Sequence, residues 1–296
     1  MLAPIFVGGS GRSGTTITGR LIGSHPDYHM FPTELKFITV RGGLCDLVEG
    51  RTTYRRFEDA LFGQWFDRGP NKGLKVVMSQ ASLEAALPAF RRGLRTDPVA
   101  ASSEFVHRLL DPIAAANGAR GWVEMTPVNA QAARTLIRLF PDMKLVHSVR
   151  DGRDVACSVL RFRWGLKDVD AALDWWGVRL ERAFAATSTL PDDRLLAVQM
   201  EDLSRRDRER QYARLLGFLA FDGEPAVRSF FDTEMTADRA HIGRWRTEVP
   251  ADRLASFLAH HHELAARLIA RGFPYRPEPD VAPDSDALEP RETVAV

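Results

Sequence analysis

From Gly9 to Gly14 the chain reads Gly-Ser-Gly-Arg-Ser-Gly, and Thr15 and Thr16 follow directly. Ile5 to Val7 form a short apolar run before this stretch, and Ile17, Leu21 and Ile22 recur after it at helical spacing, which predicts strand, glycine-rich turn and helix. Backbone N–H groups that converge on the first turn of a helix make a cradle for an anion, and the helix dipole reinforces it. The glycine spacing is that of a P-loop, where a lysine reaches the β- and γ-phosphates and the next hydroxyl binds magnesium. Here Thr15 stands in the lysine's place and the positive charge is carried earlier, by Arg12. Such a loop suits a phosphate group, and it serves γ-phosphate transfer poorly.

A second pattern lies at Arg150-Asp-Gly-Arg-Asp154, directly after the β run Met143–Val149, with Ser158 eight residues beyond Arg150. A planar guanidinium grips two phosphate oxygens, and a hydroxyl one or two turns into the following helix donates a third bond. In isolation this is a surface turn with local Arg–Asp pairs. Two phosphate-type patterns at strand-to-helix junctions of one chain are much harder to obtain by chance. Glu124 is a candidate general base on position alone, because it sits near the carboxyl end of a strand expected to start at Gly121, where open α/β sheets keep their chemistry.

The wording Arg12-Ser-Gly-Thr-Thr16 resembles the 5′-phosphosulfate loop of the sulfotransferases that use 3′-phosphoadenosine 5′-phosphosulfate (PAPS), and Ser24-His-Pro-Asp27 resembles their carbohydrate- and tyrosyl-type branch. Arg150 and Ser158 are similar to that family's 3′-phosphate site. The resemblance implies sulfuryl transfer from PAPS to a hydroxyl acceptor (a sugar, a phenolic or tyrosyl group, or a secondary metabolite) with release of adenosine 3′,5′-bisphosphate (PAP) and no metal. It implies that Arg12, Ser13, Gly14, Thr15 and Thr16 hold the 5′-phosphosulfate, with Arg12 also steadying charge on the leaving phosphate. Glu34 in Pro32-Thr-Glu-Leu-Lys36 matches the residue that takes the acceptor's proton, and Lys36 is a weaker candidate for substrate contact. Ala240-His-Ile-Gly-Arg-Trp-Arg246 resembles the segment that covers the nucleotide, which nominates Gly243, Arg244 and Trp245 as cofactor contacts. Two positions depart from the pattern: Met125 stands where a lysine usually precedes the Thr-Pro pair, and Met200 where a tyrosine usually precedes Glu-Asp. Arg12 or Lys36 would have to supply the charge missing at Met125. Two other readings stay open, a P-loop kinase or NTPase with a degenerate loop and a catalytically silent PAP-binding module.

These sites need an α/β fold, a central and mainly parallel sheet of about four or five strands flanked by helices, with both patterns at carboxyl ends of strands. Helical periodicity runs over Arg55–Phe66, Ser82–Arg92, Ser102–Ala115, Ala130–Phe140 and Asp252–Arg271. Arg51, Arg55, Arg56, Arg91, Arg92 and Arg95 recur through the middle region, as a solvated helix face or as a means of selecting an anionic acceptor. Residues 1–273 read as one domain, while prolines and acids without apolar period mark 274–296 as a disordered tail. A chain of 296 residues that is 45% hydrophobic with formal net charge +1 has no basic excess for nucleic acid, so any anion site is a local concentration of arginine. With neither a membrane-length apolar run nor a signal-like start, the expected location is cytoplasmic. Cys45 and Cys157 give no disulfide framework, and the consecutive histidines His260 to His262 point to different helix faces, so no metal site is expected.

Overall fold

The computed structural model describes residues 1–162 and 165–280. Five parallel strands build one sheet in the order β2-β3-β1-β4-β5, where β1 is Ile5–Gly9, β2 Tyr28–Met30, β3 Gly121–Glu124, β4 Lys144–Val149 and β5 Leu195–Gln199. Every residue of β1 is buried, since β3 covers one edge and β4 the other, with Ile5 opposite both Val123 and Lys144. Successive side chains of a strand face opposite layers. Ile5 and Val7 accordingly pack with Leu21 and Ile22 of helix α1 (Thr15–Ile22), while Phe6 packs beneath Trp122 and Phe140 on the other face. That second layer includes helices α2 (Gln80–Gly93) and α3 (Pro98–Ala116), joined through the stacked rings of Phe90 and Phe105.

Parallel strands need crossovers, and these diverge at β1 and β4. The chain leaving β1 returns on the side of β2 and β3, whereas the chain leaving β4 enters helix α4 (Gly152–Leu160) and, through helix α5 (Val169–Thr187), reaches β5 on the far side. A crevice therefore opens at the carboxyl ends of β1 and β4, the position where doubly wound sheets bind ligands.

β2 had no counterpart in the sequence reading: it is three half-buried residues paired in register with Gly121–Val123. A larger difference concerns the expected tail. Residues 274–280 run as an extended strap against the sheet end, where Tyr275 and Glu278 are buried. Arg276 N donates to Gln199 Oε1 at 3.0 Å, Glu278 N donates to Asp151 Oδ2 at 3.0 Å, and Arg153 donates to Asp280. Proline at 277 and 279 forbids a helix without forbidding extended chain, and Gln199 at the end of β5, the α4 cap Asp151 and Arg153 of α4 supply the partners. The rest of the tail, 281–296, lies outside the described residues. Among the described residues no helix is long and apolar enough to cross a membrane. The three histidines do diverge: His261 is buried against the Tyr275 hydroxyl, His260 pairs with Asp170 and Asp174, and His262 pairs with Asp280.

Candidate active site

The loop after β1 is shaped by left-handed backbone. Gly11 has φ +92°, Arg12 +57° and Gly14 +91°, which turn successive N–H groups to one side. Gly14 caps α1 with no side-chain bond to the helix, and among the described residues the N–H groups of Arg12 through Thr16 have no acceptor. Underneath, Met200 fills the space a side chain at Gly14 would need, with its Sδ 2.6 Å from an ideal Cβ there. Gly14→Ala must therefore both hold Ala at positive φ and displace Met200. We expect a loss of about 1–3 kcal/mol in thermal unfolding from the backbone strain, accompanied by weaker binding of phosphorylated ligands. Adding Met200→Ala should relieve the steric part and leave the backbone part; full recovery in the double variant would show that the φ of residue 14 is immaterial.

Arg12 does not stay over the loop. Its guanidinium crosses to the second pattern, where Nε donates to Ser158 Oγ at 3.0 Å and the group lies 4.4 Å over the Phe162 ring. Arg150 answers from the loop after β4: Nη1 donates to Arg12 O at 3.4 Å, and Nη2 to Ala240 O at 2.6 Å and His241 O at 3.1 Å. Burial and then the charges of Arg150 and Arg244 lower the Arg12 pKa, while Glu34 opposes them. Three guanidiniums thus influence one another, with Glu34 acting on Arg12, Asp154 3.8 Å from Arg150 and Glu248 3.6 Å from Arg244. Among the described residues Ser13 Oγ, Arg150 Nε and Arg244 Nε are buried there without a hydrogen bond, Arg244 Nε lying 3.6 Å from Glu248 Oε1. A buried polar atom left unpaired costs about 1–3 kcal/mol, so a cluster of them next to free N–H groups fits an anion.

Each charged residue of Arg150-Asp-Gly-Arg-Asp154 has its own task. Asp151 caps α4 by accepting from Arg153 N at 2.9 Å and holds the Arg153 guanidinium through Nε and Nη2 at 3.0 and 2.8 Å. Asp154 accepts from Gly243 N at 2.8 Å and Trp245 N at 3.4 Å, which lays the segment 243–245 beside Arg150. Gly243 and Arg244 therefore face the cluster. Trp245 is buried at 1% exposure, with the guanidiniums of Arg153 and Arg246 4.4 and 4.5 Å from its ring. Next to Ala240 and His241 a cavity of about 480 Å³ is lined by Ile17, Met200 and Met235 on one hand and by Arg20, Glu234, Asp238 and Arg239 on the other.

On the opposite flank, Glu34 and Lys36 form an ion pair at 3.2 Å, with side chains one-third and one-quarter exposed. Between them Leu35 is buried and donates its N–H to Glu124 Oε1 at 2.9 Å. Glu124 itself is 1% exposed, and both of its oxygens are taken by Leu35, Thr126 and Asn129. Burial raises its pKa, against the pull of those donors. A carboxylate so enclosed touches no space a substrate could enter, so Glu124 is a brace for the Glu34 segment and no candidate base. Met125 packs at 6% exposure, with Sδ 3.9 Å from Thr16 Oγ1, and brings no cation to the loop.

Two contributors escaped the sequence reading. The Trp175 ring lies 3.0 Å from an ideal Cβ on Gly11, and Arg179, stacked over Trp175 at 4.3 Å, donates to Ser10 O at 3.5 Å. Their only sequence signal is an Arg four residues after a Trp on a helix, which also describes ordinary surface stacking.

Fold and site together define a P-loop-like α/β protein whose loop lysine is replaced by arginines from the loops after β1 and β4 and from the 243–245 segment. The sulfotransferase family model matches residues 4–225, and the chain belongs to that family. Among solved structures it is similar to the sulfotransferase domain from the curacin biosynthetic pathway (17% identity, 94% of this chain and 99% of that one, TM-score 0.54). It is also similar to the sulfotransferase domain of the Synechococcus PCC 7002 olefin synthase (19%, 90% and 95%, TM-score 0.56) and to sulfotransferase STF9 from Mycobacterium avium (17%, 94% and 78%, TM-score 0.51). At these identities the likeness concerns the fold. Among curated protein sequences none matches the chain.

Proposed function

We propose that the protein transfers a sulfuryl group from PAPS to a hydroxyl acceptor and releases PAP. The observation that carries this reading is the pair of buried polar atoms without a hydrogen bond among the described residues, Ser13 Oγ and Arg150 Nε, gathered between two strand ends with Arg12 and Ser158. Loop amides from Arg12 to Thr16 would bind the 5′-phosphosulfate, while Arg150, Ser158, Gly243 and Arg244 would bind the 3′-phosphate. The cavity lined by Ile17, Met200 and Met235 is large enough for an adenine. In the transfer the bond from sulfur to the bridging phosphate oxygen breaks and a bond from sulfur to the acceptor oxygen forms. The hydroxyl proton passes to the Glu34 carboxylate, and the electron pair left on the phosphate is stabilised by the preorganised loop dipoles and Lys36.

Calorimetric titration with PAP, and separately with ATP and magnesium, tests the donor class. PAP should bind in the micromolar range and ATP at least about tenfold more weakly, a difference of about 1.4 kcal/mol. Tighter, magnesium-dependent ATP binding would replace this reading with a kinase, and PAP binding without turnover of any hydroxyl acceptor would favour a silent nucleotide-binding module.

A further inference from the structure

A cleft of about 1230 Å³ opens between the segment 39–64, residues 128–134 and the end of α5 at 182–186, and its charge is one-sided. Its walls carry five arginines, Arg41, Arg51, Arg56, Arg134 and Arg182, against two carboxylates, Asp46 and Asp59, with neither lysine nor glutamate. Asp46 is already committed to Arg51 at 2.7 Å, and Arg134 donates to Ala185 O. Among the described residues Arg41, Arg56 and Arg182 have no carboxylate within ion-pair distance. The whole chain has a formal net charge of only +1, so this gathering is local. A concave wall of one charge sign focuses its field and concentrates counter-ions. The remaining lining mixes small apolar residues such as Ala60, Val128 and Ala132 with Thr39, Thr52, Gln64 and Gln131, whose Nε2 is buried without a hydrogen bond among the described residues. Small and amide side chains of this kind offer little to a lipid or steroid and much to an oxygen-rich molecule.

The cleft joins the candidate chemistry at two places. Thr39 lies three residues beyond Lys36 on a turn closed by Val40 N donating to Lys36 O at 3.0 Å, so one short segment carries both Glu34 and the cleft wall. Arg182 follows Arg179 by one turn of α5, and Arg179 binds the loop at Ser10 O. Resting on the transfer reading above, we infer that the acceptor is itself anionic: a sugar or sugar-like molecule whose reacting hydroxyl meets Glu34 while a carboxylate, phosphate or sulfate elsewhere on it is held by Arg41, Arg56 and Arg182. Of the arginines singled out in the sequence, Arg51 and Arg56 belong to this cleft. Arg91, Arg92 and Arg95 line a separate groove with Tyr54 and Glu84.

The test uses two matched fluorescent pairs, 4-methylumbelliferyl β-glucuronide against the β-glucoside, and 4-methylumbelliferyl N-acetylglucosaminide 6-sulfate against its unsulfated form. Binding to the full chain is followed with and without saturating PAP. In at least one pair the anionic member should bind tenfold or more tightly. This preference should shrink with added salt and fall toward unity in Arg56→Gln/Arg182→Gln, with PAP affinity unchanged. Arg91→Gln/Arg92→Gln should keep the preference. Equal affinity within both pairs, absence of saturable binding by any probe, or a preference that survives Arg56→Gln/Arg182→Gln would overturn the inference. A failure to bind PAP with the anion preference intact would instead count against the donor reading alone.

Discussion

Glu34→Gln should lower kcat by about 100- to 10,000-fold, the usual range for loss of a general base, while PAP affinity stays close to that of the parent protein. Gln keeps the shape and loses the ability to accept the proton. Glu34 rises from a backbone that Glu124 fixes through Leu35 N, so the substituted amide should occupy the same place beside Lys36. Its charge also opposes the mutual repulsion of Arg12, Arg150 and Arg244, and removing it leaves the site more cationic, which favours PAP if it changes anything. Steady-state kinetics with PAP calorimetry separate the two effects. A kcat within about threefold of the parent would remove Glu34 from the mechanism, since even modest proton-transfer catalysis exceeds that factor. Glu124→Gln is the informative companion: it disturbs a buried carboxylate held by three residues, so its signature is lower thermal stability together with a poorly positioned Glu34.

Much of this arrangement is written in local sequence, and the remainder depends on partners distant along the chain. Strands β1, β3, β4 and β5 are apolar runs bounded by glycine, proline or charge, so their pattern survives without context, whereas β2 owes its existence to pairing with Gly121–Val123. The phosphate loop is legible because only glycine-rich sequence accepts its run of positive φ. Sequence offers no sign that Arg12 bonds Ser158 across 146 residues, since the bond depends on β1 lying beside β4. Trp245 shows a related dependence. Its neighbours Gly243 and Arg244 do face the cluster, while the indole is buried beside Arg153 and Arg246. The strap at 274–280 was hidden because its partners, Asp151, Arg153 and Gln199, are polar, and hydrophobic periodicity is blind to a segment bound through hydrogen bonds.

Arg150→Ala should reduce PAP affinity by about 100-fold or more, because two charge-assisted bonds to one phosphate contribute about 1.5–3 kcal/mol each. The substitution has a second consequence that the measurement must separate. Arg150 also ties Arg12 O to Ala240 O and His241 O, so its loss loosens the loop and the 240–245 segment whatever ligand is present. Adenosine 5′-phosphate distinguishes the two, since it lacks only the 3′-phosphate of PAP. If Arg150 grips that phosphate, the parent protein prefers PAP by a wide margin, and Arg150→Ala removes the preference by weakening PAP far more than adenosine 5′-phosphate. Arg150→Lys should restore part of the PAP affinity, because it returns the charge without the planar two-point grip. If both nucleotides weaken equally, Arg150 acts through the scaffold. The 3′-phosphate would then rest on Arg12, Ser158 and Arg244, the other polar groups that meet at this strand end.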